Sequence, residues 1–97
     1  MYCSKFSLDM ENMLTTLHNS GLKMSYINYF LSDFDRFCIK TFPESDVLTA
    51  AIAERWIRNA TSKSKAHMSR RVRTMKHLGK YQQSLGKPSY IPNYSIN

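Results

Sequence analysis

Apolar residues recur at intervals of three and four along most of the chain, a spacing that places them on one face of an α-helix. In the first segment with this spacing, the apolar residues are Leu8, Met10, Met13, Leu14 and Leu17. Ser7 can cap the N-terminus of such a helix, and Gly21 is a residue type that commonly follows a helix end. The pattern predicts a first helix from about Leu8 to Ser20.

The second segment has a broader apolar face. Its members are Ile27, Phe30, Leu31, Phe34, Phe37, Cys38 and Ile39. The polar residues of the same segment lie off this face: Asn28, Ser32, Asp35 and Arg36. Ser25 can cap the helix and Pro43 prevents its continuation, so we predict a second helix that starts at Ser25 and ends at about Phe42.

A shorter third helix is predicted after Thr49, which can cap it, and ends at about Asn59. Leu48, Ile52 and Trp56 stand four residues apart and therefore share one helix face. This alignment favours a core position for the Trp56 indole over stacking on a nucleic-acid base. The string TSKSK that follows is predicted to be a loop.

The fourth predicted helix, from about Ser64 to Leu85, has two different sides. On an ideal helix, one side carries the residues that project within about 40° of the direction of Met68, namely Met68 itself, Val72, Met75, Gly79 and Gln82. Leu78 and Leu85 lie on a flank of this side. The opposite side carries Arg70, Arg73, His77 and Lys80. We expect the first side to pack and the second to face an anion. Gly86 and Pro88 end the helix.

Residues 87–97 contain two prolines and show no helical period, so they are predicted to be an extended tail. No segment shows the alternation typical of a strand. A chain of 97 residues has the length of one domain. The predicted fold is therefore all-α, a compact bundle of four helices over residues 1–86 followed by the tail.

The net charge of +7 is unevenly distributed along the chain. All seven acidic residues lie at or before Glu54, together with only four of the 14 Lys and Arg residues. The segment after Glu54 carries the other ten cations and no carboxylate. Because this segment cannot neutralise itself through neighbouring ion pairs, it presents its charge to an anion, and nucleic acid is the first candidate. The alternative is a solvated basic face with no ligand.

Patterns for other chemistry are missing from the sequence. Cys3 and Cys38 are too few for a disulfide framework, and no Cys or His cluster has zinc spacing. Neither a G-x-S-x-G turn nor a Gly-rich phosphate loop occurs. We therefore expect no metal, no cofactor and no small-molecule substrate. Without a secretory signal or an apolar run of membrane-spanning length, a cytoplasmic location is expected.

Four strings, in this order along the chain, resemble the N-terminal core-binding domain of tyrosine recombinases, the phage integrase family. SGLKMS joins the first two predicted helices, FDRFCIKTFP closes the second, LTAAIAERW forms the third, and RRVRTMKHLGKYQQSLGKPSYIP covers the last. The resemblance extends from about Leu8 to Pro92. Two features depart from the family: the string KSKAHMSRR is more basic than is typical, and Gln82 stands where the family favours an apolar residue.

The resemblance implies a SAM-like helical module that binds one face of double-stranded DNA in a recombinase of a bacterial or phage mobile element. In this family a separate catalytic domain binds the opposite face. Residues 87–97 would then begin the linker toward that domain, and other recombinase protomers on the same DNA would be further partners. The module itself would not cleave DNA.

The DNA contacts are expected mainly on the polar side of the last helix. Groove contacts are expected from Arg70, Arg73 and His77. Phosphate contacts are expected from the lysines that flank them, Lys63, Lys65, Lys76 and Lys80. Lys23 and Ser25 add a phosphate site at the N-terminus of the second helix. Arg71 borders the apolar stripe and can brace the fold instead.

The string from His67 to Arg70 spells the H-x-x-R pattern of the recombinase active site, and Tyr90 and Tyr94 follow it. We expect no catalysis from these residues, because the string lies in the helix that matches the binding domain. No Arg and Lys precede it in the order of the family, and such short motifs recur by chance.

Two other functions fit a basic helical module. The basic face can bind an acidic protein partner, and a steep loss of affinity with added salt would favour DNA over that alternative. The last helix can also lie on a membrane surface. Gly79 and Gln82 on its apolar side, without an aromatic anchor, disfavour membrane binding.

Overall fold

The structure, a computed structural model, describes residues 2–21, 25–59 and 64–96. Its helices are α1 (Ser7–Asn19), α2 (Ser25–Thr41), α3 (Ala50–Arg58) and α4 (Lys65–Ser84). No strand occurs in these three ranges, so the predicted all-α class is confirmed. The chain divides into two compact units, an N-unit of Met1–Asp46 with α1 and α2 and a C-unit of Val47–Asn97 with α3 and α4.

The core of the N-unit is built from α1, α2 and the residues before α1. Its buried apolar side chains are Tyr2, Phe6, Met10, Met13, Ile27, Phe30, Leu31, Phe34 and Cys38. The rings of Phe6 and Phe34 meet edge to face with their centroids 5.3 Å apart, an arrangement that aromatic quadrupoles favour. The predicted apolar face of α2 is confirmed except at its margin, where Phe37 is half-buried and Ile39 is exposed.

Asp35 departs from the sequence prediction. The apolar pattern places Asp35 off the buried face of α2, yet the residue is buried, with only 4% of its surface exposed. Its carboxylate accepts hydrogen bonds from the backbone amides of Cys3, at 2.9 Å, and Ser4, at 2.8 Å. A buried carboxylate is tolerated where such donors satisfy it. Asp35 therefore fastens the segment before α1 onto α2.

The start of α1 also differs from the prediction. Phe6 is the N-cap residue and no side chain caps the helix, so the expected Ser7 cap is wrong. Ser4 shapes the turn instead, because its carbonyl accepts from the Ser7 amide at 3.0 Å and its hydroxyl accepts from the Phe6 amide. Leu8 follows in the first turn and is exposed, since one side of α1 alone is packed within the N-unit. The end agrees with the prediction, with Gly21 at a φ of 86°.

In the C-unit, α3 is capped and packed as predicted. The Thr49 side chain accepts a hydrogen bond from the Ile52 amide at 3.2 Å. Leu48, Ile52 and Trp56 are buried. Trp56 is completely enclosed, which confirms the core prediction for its indole.

The predicted apolar stripe of α4 is largely confirmed. Val72, Met75, Leu78, Gly79 and Gln82 are all buried, while Met68 at the start of the stripe is half-buried. Gln82 is satisfied in the core because its Oε1 accepts from the Leu48 amide at 2.9 Å. The prediction for Leu85 is wrong: it is the C-cap residue and is exposed, since the helix has ended there.

The C-terminal segment, defined here as residues 87–96, contains no helix or strand and packs against other parts of the C-unit. The Tyr90 amide donates to the Leu48 carbonyl at 2.8 Å, and the Gln83 side-chain amide donates to the Ser89 carbonyl at 2.8 Å. The Tyr90 backbone also passes so close to Gly79 that a Cβ added there would overlap the Tyr90 carbonyl oxygen. A helical glycine thus makes room for the segment.

Within the described part of the chain, no helix is both long enough and apolar enough to span a bilayer.

Candidate nucleic-acid interface

The basic side of α4 is positioned by a helix whose other side is fixed in the core. Ser64 caps the N-terminus, and its hydroxyl accepts from the His67 amide at 3.1 Å. On the side away from the core, the exposed cations are Lys65, Arg70, Arg73 and Lys80. Lys76 and His77 are half-buried. Six of the nine residues predicted for the site therefore lie along one helix. We call these six residues the α4 basic face.

Three predicted site residues fall outside what the structure describes. Lys23 and Lys63 lie outside the described residues. The same holds for the side chain of Ser25, whose backbone begins α2. The phosphate sites expected from these residues stay predictions.

His77 has an unfavourable environment for a positive charge. Burial lowers the pKa of its imidazole below the ordinary 6.5, and the neighbouring charges of Lys80 and Arg73 lower it further. The neutral imidazole is therefore favoured. In that form it can donate one hydrogen bond to a phosphate or a base edge and can accept one from a base-edge donor.

Arg71 belongs to the core of the C-unit and not to the basic face. It is 5% exposed, and its Nη1 donates to the Trp56 carbonyl oxygen at 2.7 Å. Its guanidinium carbon lies 4.3 Å from the centroid of a Trp56 ring, within cation–π range. Its Nε also donates to His67 Nε2 at 3.3 Å. The prediction that Arg71 can brace the fold is confirmed.

The C-terminal segment brings one further side chain to the basic face. The Lys76 ammonium donates to the Ser95 hydroxyl at 3.2 Å. Between α4 and the end of the segment lies a cavity of about 200 Å³, lined by Ser69, Val72, Arg73, Lys76, Ser95 and Ile96. Sequence reasoning missed Ser69 and Ser95. Ser69 precedes Arg73 by one helical turn, which is a usable signal, whereas nothing local to Ser95 predicts its position.

Glu54, the one acidic residue in the sequence of the C-unit, is engaged by two tyrosines. The Tyr90 hydroxyl donates to Glu54 Oε2 at 3.0 Å, and the Tyr94 hydroxyl donates to Oε1 at 2.8 Å. The unit carries ten Lys and Arg residues, so its formal charge is +9. The side chain of Glu54 thus holds the C-terminal segment on α3.

The same contacts bear on the H-x-x-R string. Burial raises the pKa values of the Tyr90 and Tyr94 hydroxyls, and their hydrogen bonds to the Glu54 carboxylate raise them further. A raised pKa makes each phenol a poorer nucleophile near neutral pH. His67 accepts a hydrogen bond from Arg71, as described above.

No group of three or more His, Cys, Asp or Glu side chains in the described ranges could hold a metal ion.

Comparison with known proteins finds no matching family model, no similar curated protein and no similar solved structure.

Proposed function

We propose that this chain binds double-stranded DNA through the α4 basic face, as the core-binding module of a tyrosine recombinase with a SAM-like four-helix fold. In this proposal the chain grips the duplex and does not cleave it. The recombinase family is proposed from the four sequence strings and their order along the chain. Other protomers bound to the same DNA are proposed as secondary partners.

The observation that carries the proposal is the separation of core and charge on α4. Val72, Met75 and Leu78 are buried, whereas Arg70 and its neighbours on the basic face remain accessible on the same helix. Each cation that neutralises a DNA phosphate releases condensed counterions, which favours binding. In the same unit the one acidic side chain in the sequence, Glu54, is hydrogen-bonded to two tyrosines, so the basic face is suited to this polyanion.

The dimensions of α4 fit the proposal. The helix has 20 residues and is therefore about 30 Å long, and a major groove about 12 Å wide admits a helix. Arg70 and Arg73 are the residues proposed to read base edges, because a guanidinium can form two hydrogen bonds with guanine. Lys65, Lys76 and Lys80 are proposed to contact phosphates.

The experiment measures the affinity of a labelled mixed-sequence duplex for the full chain at fixed salt, by fluorescence anisotropy. The test variant is Arg70→Ala with Arg73→Ala. We expect a loss of about 1 to 3 kcal/mol for each arginine that contacts a base. Circular dichroism should show an intact fold, because exposed substitutions usually change stability by less than about 0.5 kcal/mol.

Two control variants remove the same net charge elsewhere. Lys5→Ala with Lys40→Ala changes exposed residues of the N-unit, and Arg55→Ala with Arg58→Ala changes exposed arginines of α3. Both should weaken binding much less than the test variant. Equal losses in all three variants would show nonspecific attraction by net charge and refute the assignment to α4. Absence of duplex binding by the unmodified chain would overturn the proposed function.

A further inference from the structure

We propose that α4 and the C-terminal segment together form a pocket for one phosphate group, with positive charge from Arg73 and Lys76 and hydroxyl groups from Ser69 and Ser95. The inference deepens the proposed function. It rests on that function in one respect, because DNA binding would supply the phosphate group from the DNA backbone. The source of the phosphate is either the DNA backbone, in which case Arg73 contacts this phosphate and base reading is left to Arg70, or free inorganic phosphate. The experiment below separates the two.

The first argument is the geometry of α4. Ser69, Arg73 and Lys76 are separated by four and three residues, so they line one side of the helix over two turns. Val72 lies between them and is buried, and it lines the cavity as an apolar floor. The three polar side chains therefore surround a common volume.

The second argument is the contribution of the C-terminal segment. Ser95 accepts a hydrogen bond from Lys76 and lines the same cavity, although it lies 19 residues further along the chain. The segment is fixed nearby by the hydrogen bonds of Tyr94 to Glu54. Ser95 is thus held where its hydroxyl can donate to an anion that Lys76 also contacts.

The third argument is charge and size. No carboxylate is among the residues that line the cavity, so its lining presents two cations, two hydroxyls and two apolar side chains. A volume of about 200 Å³ has room for a small oxyanion with accompanying water. Arg and Lys donate charge-assisted hydrogen bonds to phosphate oxygens, and hydroxyl groups can donate hydrogen bonds to the phosphate oxygens that remain. The lining of the cavity therefore suits a small oxyanion by its charge and its hydrogen-bond donors.

The test uses a charge-neutral variant, Ser69→Ala with Ser95→Ala. Since the net charge is unchanged, a loss of affinity cannot arise from weaker general attraction. The matched control is Ser84→Ala, an exposed serine of α4 whose hydroxyl donates to the Tyr81 carbonyl within its own helix. In a duplex titration the double variant should bind roughly three- to tenfold more weakly than the unmodified chain, and the control should be unchanged.

A second measurement tests the pocket without DNA. Inorganic phosphate is titrated into the full chain at constant ionic strength, with chloride as the reference salt, and backbone amide resonances are followed by NMR. Saturable shifts are expected at Ser69 and Ser95. They should be lost in the double variant and retained in Ser84→Ala.

The outcomes separate the pocket from the proposed function. Phosphate shifts together with weaker duplex binding by the double variant support the pocket and assign its phosphate to DNA. Phosphate shifts without any effect on duplex affinity support the pocket and assign it to free phosphate. Duplex binding that needs Arg70 and Arg73, with no phosphate shifts and no effect of the serine changes, overturns the pocket and leaves the proposed function intact. If the chain binds phosphate but no duplex, the proposed function fails and the pocket stands.

Discussion

His77 shows how one side chain on the α4 basic face responds to its neighbours. It is half-buried, and burial together with the charges of Lys80 and Arg73 disfavours its charged form. A ligand with negative charge would act in the opposite direction, because it favours the charged imidazole. His77 is therefore a natural reporter of anion binding on this helix.

We predict that the pKa of His77 in the free chain lies below 6.5 and rises when duplex DNA binds. Proton uptake then accompanies binding, so duplex affinity should increase as the pH falls through the interval between the two pKa values. For folding the sign is reversed. Because the pKa of His77 is lower in the native state than in the unfolded chain, its contribution to the free energy of unfolding is fully present at pH values above 6.5. This contribution is lost as the pH falls through the native pKa.

NMR titration of the His77 ring protons, in the free chain and with a saturating duplex, measures both pKa values. His77→Gln serves as the control, since it keeps a polar side chain that does not titrate, and it should flatten the pH dependence of affinity. A free pKa at or above 6.5, or a value that DNA leaves unchanged, would contradict the prediction.

Single residues also show where sequence patterns predict burial and where they do not. Periodicity correctly assigns Trp56 and Met75 to the core, because each lies on the apolar side of its helix, one turn from another buried apolar residue. It fails for Leu8 and Leu85, which lie in the first turn and at the end of their helices, where no neighbouring side chain covers them. It also fails for Asp35, whose burial depends on backbone amides that arrive from a distant part of the chain.

At the scale of elements, the C-terminal segment is the part that the sequence predicts least well. Its lack of helix and strand follows from its prolines, but its packing on α4 depends on contacts between residues far apart in sequence. The starts of α3 and α4 were predictable because their N-caps, Thr49 and Ser64, are local to each helix. The six residues of the α4 basic face were predictable from the helical period, which is also local. Ser95 was not predictable, because its position depends on distant contacts.

We predict that Gly79→Ala destabilises the chain, although alanine is the better helix former. Within a helix alone the substitution would stabilise by roughly 0.5 to 1 kcal/mol. Here the added Cβ would overlap the Tyr90 carbonyl oxygen and press on the Ile91 side chain. Overpacking of this kind typically costs about 1 to 3 kcal/mol, so the net free energy of unfolding should decrease.

Urea denaturation measures the change. The same substitution in a chain truncated after Lys87 is the control, because there the overlapping backbone is removed and only the helix preference remains. The sign of the effect should then reverse. A gain in stability in the full chain would show that the C-terminal segment does not pack on Gly79.

At the scale of the whole molecule, charge divides between the two units. The N-unit carries six acids and four cations, a formal charge of −2, against +9 for the C-unit. The net charge of +7 therefore understates the field that the C-unit presents to a polyanion. Phosphate contacts from such a unit should make duplex binding strongly dependent on salt.

We predict that duplex affinity falls by about three orders of magnitude between 50 and 200 mM salt if roughly six phosphates are neutralised. The slope of log affinity against log salt, from anisotropy titrations at several concentrations, gives the number of ions released. The Lys65→Ala variant should reduce that slope by about one, as expected for one lost phosphate contact. A shallow slope that Lys65→Ala leaves unchanged would contradict a binding mode based on phosphates.

The burial of Cys38 has a practical consequence for such titrations. Desolvation raises the pKa of its thiol to about 12, so almost no thiolate forms near neutral pH, and the sulfur is enclosed. Cys3, the other cysteine, is exposed, and its backbone amide is anchored to Asp35. Because thiol-directed dyes react with accessible thiolate, the folded chain offers one natural attachment point for a fluorophore. A dye on Cys3 would sit on an anchored backbone in the N-unit and leave every arginine and lysine of the α4 basic face unmodified.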